Sequence, residues 1–344
     1  MNVLITGGAG YIGSHIALSL LQQNHHVIVL DNLCNSSPIA LTRVEALSGK
    51  KITFHQGDIR RRADLNQVFN QQPIDAVIHM AGLKSVNESL QKPVKYYQNN
   101  IAGTLMLLEI MKQHQVNKLI FSSSATVYGI PEKIPLCENC DTGNTTNPYG
   151  ASKYMVEKIM GEVVDAQPDL AITALRYFNP AGAHPSGQIG EHPEGIPNNL
   201  LPYLFQVANG QRGNLPVFGD DYATPDGTGV RDYIHVMDLA EGHIQALNHL
   251  KPGYRHYNLG TGQGYSVLEI VQMFEQVSGK QVPVDMRARR PGDVAICLSD
   301  PGQAKKELGW QATRGLEAML RDAWRWHTQN PQGYVAQPAG NETL

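Results

Sequence analysis

Close to its N-terminus the chain reads Val3-Leu4-Ile5-Thr6-Gly7-Gly8-Ala9-Gly10-Tyr11-Ile12-Gly13. A short β-rich run is followed by a glycine loop and then by a helical pattern, the order in which a dinucleotide-binding loop is built. The spacing is G-x-x-G-x-x-G and differs from the standard G-x-G-x-x-G. Glycines permit a tight turn, and the N–H groups at a helix N-terminus bind pyrophosphate. The loop therefore predicts a Rossmann-type fold that binds a dinucleotide.

Apolar runs over the first half of the chain support this fold. β-rich runs alternate with helical patterns, which predicts a doubly wound parallel sheet with helices on both faces. Ligands of such sheets lie at the carboxyl ends of the strands. The predicted strands are 3–6, 27–30, 52–55, 76–79, 118–121 and 172–176, and the helices between them are 12–23, 63–70, 99–113 and 149–166.

Beyond residue 179 the pattern changes, because glycine and proline become dense and the elements become shorter. Helices are predicted there at 200–209, 236–250, 267–278, 301–308 and 316–327. We therefore predict a dinucleotide-binding domain over 1–179 and a smaller, mixed α/β substrate-binding domain over 180–344. Some exchange of chain between the two domains is expected.

Composition limits the class of protein. Hydrophobic residues make up 42% and charged residues 17% of the chain, as in a globular enzyme, and the net charge of -3 argues against a nucleic-acid partner. No apolar run approaches the roughly 18 residues of a membrane span. The N-terminal run lacks the basic segment of a signal peptide. We therefore expect a soluble, cytoplasmic enzyme without a membrane partner.

Cysteine and histidine spacings predict no metal site. The four cysteines do not indicate a disulfide framework, and the thirteen histidines include no H-E-x-x-H pattern. Cys137 and Cys140 form a C-x-x-C. Since there is no second pair and no thioredoxin-like setting, neither a metal nor a redox role is predicted for them.

Two acidic residues follow predicted strands at the carboxyl edge. Asp31 ends the second strand, about twenty residues after the glycine loop, where a carboxylate accepts hydrogen bonds from the adenosine ribose. It would also repel a 2′-phosphate, so NAD is predicted in preference to NADP. Asp58 and Ile59 follow the third strand and are candidates to receive the adenine, although on spacing alone a solvated loop explains Asp58 equally well.

The run Tyr149-Gly150-Ala151-Ser152-Lys153 places a phenol four residues before an ammonium. On a helix the two side chains share one face. Free tyrosine titrates near 10, and a nearby positive charge favours the phenolate and so makes a better base. Taken alone, such a pair is more often an exposed helix pair than a catalytic site.

The glycine loop and four further motifs together resemble the extended short-chain dehydrogenase/reductase family, and within it the UDP-hexose 4-epimerases. The similarity extends along nearly the whole chain. The four motifs are residues 122–129 (SSSATVYG), 147–153 (NPYGASK), 175–182 (LRYFNPAG) and 227–236 (GTGVRDYIHV).

The resemblance implies interconversion of UDP-glucose and UDP-galactose through a transient 4-keto sugar, with tightly bound NAD. Tyr149 would be the base that removes the O4 proton, and Ser124 would hydrogen-bond that oxygen. Lys153 would bind the nicotinamide ribose and lower the pKa of Tyr149. A homodimer through the helices at 105–111 and 155–163 is also implied, although a buried monomer face would look the same.

The same resemblance implies two sets of contacts. For Met80 and Phe178, core packing is an equally good interpretation. The cofactor set is Gly7, Gly10, Tyr11, Ile12, Gly13, Asp31, Asn32, Asn35, Ser36, Asp58, Ile59, Met80, Ala81, Gly82, Lys84, Asn99, Ser122, Tyr149, Lys153, Tyr177 and Phe178. The substrate set is Lys84, Ser124, Tyr149, Asn179, Asn199, Leu200, Pro216, Val217, Phe218, Arg231, Tyr233, Arg290, Asp293 and Cys297.

Within the substrate set, Arg231 and Arg290 would hold the diphosphate, since guanidinium groups suit phosphate oxygens. The segment 216–218 would bind the uracil and Asp293 the ribose. A surface patch is the better interpretation of Arg289. Cys297 is a departure, because epimerases confined to the plain sugars tend to carry a tyrosine there. The smaller residue predicts room for a 2-acetamido group, and hence action on UDP-GlcNAc and UDP-GalNAc as well; core packing is the alternative.

Three other functions remain as alternatives. A sugar-nucleotide 4,6-dehydratase would carry an acid–base carboxylate pair where this chain has Ala125 and Thr126. A non-catalytic NAD-sensing regulator would commonly lose the Tyr149 and Lys153 pair. A simple dehydrogenase would need an exchangeable cofactor.

Overall fold

Thirteen strands and twelve α-helices are found in the part of the chain that the structure, a computed structural model, describes: residues 1–193, 199–290 and 292–335. The strands are β1 (Asn2–Thr6), β2 (His26–Asp31), β3 (Ile52–Gln56), β4 (Ala76–His79), β5 (Lys118–Ser124), β6 (Ala171–Tyr177), β7 (Asn179–Ala181), β8 (Leu215–Phe218), β9 (Val230–His235), β10 (Gly253–Leu259), β11 (Gly264–Ser266), β12 (Val284–Arg287) and β13 (Ile296–Cys297). The α-helices are α1 (Tyr11–Gln22), α2 (Pro38–Ser48), α3 (Arg62–Gln71), α4 (Val86–Gln91), α5 (Pro93–Tyr97), α6 (Gly103–Gln113), α7 (Pro148–Ala166), α8 (Leu200–Ala208), α9 (Val236–Asn248), α10 (Val267–Ser278), α11 (Gly302–Leu308) and α12 (Leu316–Gln329).

Seven strands form one parallel sheet in the order β10-β6-β5-β4-β1-β2-β3. The strand order reverses between β1 and β4, so a crevice opens at the carboxyl ends of these two strands. The glycine loop after β1 lies at this crevice. The predicted doubly wound α/β fold is confirmed.

Both faces of the sheet are buried, which explains why its strands are continuous apolar runs. Successive side chains of a strand point to opposite faces. Ile5 accordingly lies in one apolar cluster together with Val29 and Ile78. Its neighbour Leu4 lies in another cluster, on the opposite face.

The edge strand β10 was not predicted. It pairs in parallel with β6, from Gly253 opposite Ala171 to Leu259 opposite Tyr177. The helix before it, α9, packs against α1. The sheet therefore takes in chain on both sides of residue 179, and the division into domains at that residue stays a prediction.

Two smaller sheets lie in the second half of the chain. Strand β9 pairs with β11, β13 and β7, and β8 pairs with β12 in parallel. These short strands place the segment 216–218, Arg231 and Cys297 beside the crevice. Within the described ranges no helix is long and apolar enough to cross a membrane.

Candidate active site

A cleft of about 1050 Å³ runs from the glycine loop to the small sheets. Every residue predicted to bind cofactor or substrate lines it except Asp58. Residues more than 280 positions apart in the sequence, Gly7 and Asp293, thus border one cavity. Their individual roles stay predictions, which the geometry below supports to different degrees.

The glycine loop is shaped for close approach of a ligand. Gly7 has φ of 73°, and a Cβ atom there would lie 2.7 Å from the backbone nitrogen of Ala81. Gly10 caps α1 without a side-chain hydrogen bond, so no side chain caps the first N–H groups of the helix, and residues 10–13 line the cleft. A pyrophosphate fits this arrangement, because helix N-termini stabilise anions.

Asp31 is a buried carboxylate that organises the loops around it. It accepts hydrogen bonds from the backbone nitrogens of Ala9 at 3.0 Å and Leu33 at 2.9 Å, and from the Ser36 hydroxyl at 2.8 Å. The carboxylate therefore ties the glycine loop to the segment after β2. Its position at the cleft fits the predicted contact with a ribose.

Asp58 lies outside the cleft lining, next to Ile59, which belongs to it. The Arg60 guanidinium, 2.6 Å from its carboxylate, lowers the pKa of Asp58 to about 2. The Asn32 amide donates to the same carboxylate at 3.2 Å. With these partners in place, Asp58 is better placed to hold Asn32 than to reach a ligand directly.

Helix α7 carries Tyr149 and Lys153 on one side, as the spacing predicts. The Asn147 side chain caps the helix by accepting from the Gly150 backbone nitrogen at 2.9 Å, which fixes Tyr149 in the first turn. Lys153 donates to the backbone oxygen of Ser122 at 2.6 Å. Burial lowers the pKa of Lys153 to about 8. The amine is thus held by β5, at the wall of the cleft.

Tyr149 is half-buried at the cleft, and its partial desolvation raises its pKa above the usual value of 10. A hydrogen bond with Ser124 and the charge of Lys84 act in the opposite direction. The cation predicted to lower this pKa was Lys153, and in the structure Lys84 is the cation that does so. The reason is geometric, since the amine of Lys153 is directed at the Ser122 carbonyl.

The loop that carries Lys84 is held by a turn of π-helix at Gln98–Ala102. Asn100 in this turn accepts from the backbone nitrogen of Leu83 at 2.8 Å and donates to its oxygen at 3.1 Å. The same side chain donates to the Ser152 hydroxyl of α7 at 3.0 Å. Wide turns of this kind are frequent at functional sites. Here the turn links the Lys84 loop to the helix of Tyr149.

At the other end of the cleft, Asp293 holds the two predicted phosphate ligands. Its carboxylate accepts from Arg290 at 2.9 Å and lies 4.0 Å from Arg231. The Arg290 guanidinium also stacks over the Phe218 ring at 4.8 Å. Arg289, by contrast, pairs with exposed Asp221 and stacks on Tyr222. Arg290 lines the cleft and Arg289 does not, which supports Arg290 as the phosphate ligand.

Glu191 is a cleft residue that the sequence did not reveal. Its carboxylate lies 2.9 Å from the Lys84 ammonium and accepts from the Asn199 amide at 3.2 Å. It raises the pKa of Lys84. The only signal in the sequence is an acidic residue in a glycine- and proline-rich segment, and that signal carries no spacing information.

Cys297 ends β13, opposite Arg231 of β9, and lines the cleft. Burial raises the pKa of its thiol to about 11, so the side chain is a neutral, small group at neutral pH. It packs against the apolar cluster that contains Phe178. Among the described residues no group of His, Cys, Asp and Glu is arranged to hold a metal ion.

Residues 3–260 match the NAD dependent epimerase/dehydratase family. The chain is 59% identical to the UDP-glucose 4-epimerase of Yersinia enterocolitica over 97% of this chain and 99% of that protein. It resembles the crystal structure of UDP-glucose 4-epimerase from Bifidobacterium longum in complex with NAD+ and UDP (TM-score 0.94, 52% identity, 97% of this chain and 100% of that one). It is also similar to the UDP-Glc/GlcNAc 4-epimerase of Campylobacter jejuni (TM-score 0.84, 37% identity, 95% and 99% covered). The chain thus belongs to the NAD dependent epimerase/dehydratase family.

Proposed function

We propose that the chain is a UDP-glucose 4-epimerase that interconverts UDP-glucose and UDP-galactose by way of a 4-keto sugar. One observation carries this proposal. Tyr149 and Ser124 line one part of a single cleft, and the arginines paired through Asp293 lie at its other end. In such a substrate a diphosphate joins a sugar to a nucleoside. The cleft therefore needs one part that acts on the sugar and another that binds the diphosphate.

NAD is the cofactor of the family, which confirms the prediction from the loop and Asp31, and when bound it supplies the acceptor and donor of the C4 hydride. Tyr149 takes the proton from the sugar O4 and later returns it. Ser124 donates a hydrogen bond that stabilises the phenolate, and the charge of Lys84 adds to this effect. Lys153 is fixed in the site by its hydrogen bond to the Ser122 carbonyl.

Inversion requires that the keto sugar presents first one face and then the other. Arg231 and Arg290 would retain the diphosphate during this rotation, because charge-assisted bonds to phosphate are strong. Cys297, a small and neutral side chain, borders the cleft and is predicted to face the hexose. An anchored diphosphate and a movable sugar are therefore compatible in this cavity.

The test is turnover by the protein as purified. UDP-galactose is expected to reach equilibrium with UDP-glucose without added cofactor and without accumulation of reduced cofactor. Loss of water from the sugar would indicate a 4,6-dehydratase instead, and accumulation of NADH a simple dehydrogenase. No turnover at all would favour a non-catalytic NAD sensor.

We further propose that the enzyme accepts UDP-GlcNAc and UDP-GalNAc, because Cys297 leaves space where a tyrosine would fill the cleft. The Cys297→Tyr variant is expected to lose activity on UDP-GlcNAc and to keep most of its activity on UDP-galactose. Cys297→Ser, similar in volume, is the matched control and should keep both. A parent enzyme inactive on UDP-GlcNAc, or a tyrosine variant that retains it, would refute dual specificity.

We also infer a homodimer through α6 and α7. Leu105 and Met155, one on each helix, are large apolar side chains that are 44% and 42% exposed. The double variant Leu105→Glu/Met155→Glu is expected to sediment as a monomer at concentrations where the parent is a dimer. A parent that sediments as a monomer would contradict this inference.

A further inference from the structure

The C-x-x-C of Cys137 and Cys140 lies in a tight turn outside the cleft. The backbone nitrogen of Cys140 donates to the oxygen of Cys137 at 3.0 Å, as in a β-turn. The two Sγ atoms are only 3.1 Å apart, and both cysteines are free thiols. Such a turn brings its end residues within the Cα separation of disulfides, so closure needs only a small movement of the sulfur atoms.

The surrounding contacts hold this turn in place. Leu136, before it, donates to the backbone oxygen of Leu298 at 2.8 Å and accepts from Asp300 at 2.8 Å. Within the turn, the buried carboxylate of Glu138 accepts from the backbone nitrogen of Asn258 at 2.8 Å. Because Leu136 and Glu138 are fixed by distant parts of the chain, the two sulfur atoms do not depend on a flexible loop to meet.

We propose that Cys137 and Cys140 form a redox-active dithiol that closes to an intramolecular disulfide by exchange with a low-molecular-weight disulfide. Either cysteine, as its thiolate, attacks one sulfur of the small disulfide; that S–S bond breaks, a mixed disulfide forms and one small thiolate leaves and is protonated. The second cysteine, as its thiolate, then attacks the protein sulfur of the mixed disulfide. A second small thiol leaves, so two cysteines are oxidised and one disulfide is reduced.

The environment of the sulfur atoms also sets the rate. The backbone nitrogen of Cys137 donates to the Sγ atom of Cys140 at 3.2 Å, which favours the thiolate of Cys140. Burial nevertheless raises the pKa of this thiol. Closure is therefore expected to accelerate between about pH 7 and about pH 9, as the thiolate fraction grows.

The remaining cysteines provide internal controls. Cys34 is exposed and Cys297 is half-buried, and among residues 1–193, 199–290 and 292–335 neither has another sulfur in contact with it. An exposed single thiol such as Cys34 ends as a mixed disulfide with the small molecule. Only the pair Cys137 and Cys140 is expected to form a protein disulfide that retains no part of the small molecule.

The experiment uses the whole, folded protein incubated with an about tenfold excess of oxidised over reduced glutathione, followed by alkylation and peptide mapping. The expected product is a peptide in which Cys137 and Cys140 are joined, lighter by two hydrogens, resistant to alkylation and restored by dithiothreitol. In the single variants Cys137→Ser and Cys140→Ser the remaining cysteine should carry one glutathione instead. The proposal fails if both cysteines of the parent stay alkylatable, if each retains glutathione, or if either is joined to Cys34 or Cys297.

Discussion

The two ends of the cleft hold their charged groups in different ways. At the cofactor end, Asp31 and Lys153 are buried and bonded mainly to backbone atoms of neighbouring strands and loops. At the substrate end, Arg290 is paired with a carboxylate at the rim and has a side chain that is 47% exposed. The first end is fixed by the sheet, whereas the second is held by ion pairs between side chains.

This difference has a physical consequence for binding. Backbone contacts at the cofactor end are already formed, so a ligand there finds a rigid site. At the substrate end the pair Arg290–Asp293 must share or exchange partners when a diphosphate arrives. Exposed ion pairs are worth about 0–1 kcal/mol, so this exchange costs little. Substitutions at the cofactor end should therefore change mainly the catalytic rate and the free energy of unfolding. Substitutions at the substrate end should change mainly the affinity for substrate.

The largest effect is expected for Tyr149→Phe, which removes the base and keeps the ring. Activity on UDP-galactose should fall by about 10²–10⁴-fold, the usual contribution of a positioned base. Affinity for UDP, measured by calorimetry, should change little because the arginines are untouched. Tyr154→Phe, on the same helix but outside the cleft lining, is the matched control. An active Tyr149→Phe enzyme would remove the phenol from the mechanism.

A substitution in the buried ion pair near the cofactor end should lower mainly the free energy of unfolding. Arg176 and Glu157 are 2.6 Å apart with side chains only 4% and 6% exposed. Arg176→Met leaves the Glu157 carboxylate buried without its partner, so the free energy of unfolding should fall by about 3–5 kcal/mol. Urea unfolding of both variants tests the contrast, since Arg290→Gln at the rim should lose less than about 1 kcal/mol. Equal losses would contradict the difference between the two ends.

The same Arg290→Gln variant should mainly weaken the binding of substrate. A lost charge-assisted bond to phosphate is worth about 1.5–3 kcal/mol, so KM for UDP-galactose should rise about ten- to a hundredfold. The kcat value should stay within about twofold, because the group is remote from O4. Arg287→Gln, an exposed arginine paired with Asp285, is the control and should leave KM unchanged. A fall in kcat with constant KM would show that Arg290 acts on the reacting end.

How far the sequence predicts the site depends on the distance along the chain between the partners. The glycine loop, Asp31 and the Tyr149/Lys153 spacing are local patterns whose geometry follows from a strand or a helix. The pairing of β10 with β6 joins residues about 80 positions apart, and the run 253–259 has no strong apolar pattern. The contact between Lys84 and Glu191 spans 107 positions. Such contacts are seen only in the folded chain, because no helix or strand spacing relates residues so far apart in the sequence.

The smallest effect is a shift of pH dependence at Glu191, where the two ends of the cleft meet. The charge of Lys84 lowers the pKa of Tyr149, and the Glu191 carboxylate beside Lys84 partly offsets that charge. Glu191→Gln should therefore lower the pKa of Tyr149 and move the acid limb of kcat to lower pH, by up to about one unit. Lys84→Met removes the cation and should move the limb to higher pH, whereas Glu317→Gln, an exposed carboxylate paired with Arg321, should leave it in place. If both cleft variants shift the limb in the same direction, the phenol is not under the control of this ion pair, and the substrate end does not communicate with the base through charge.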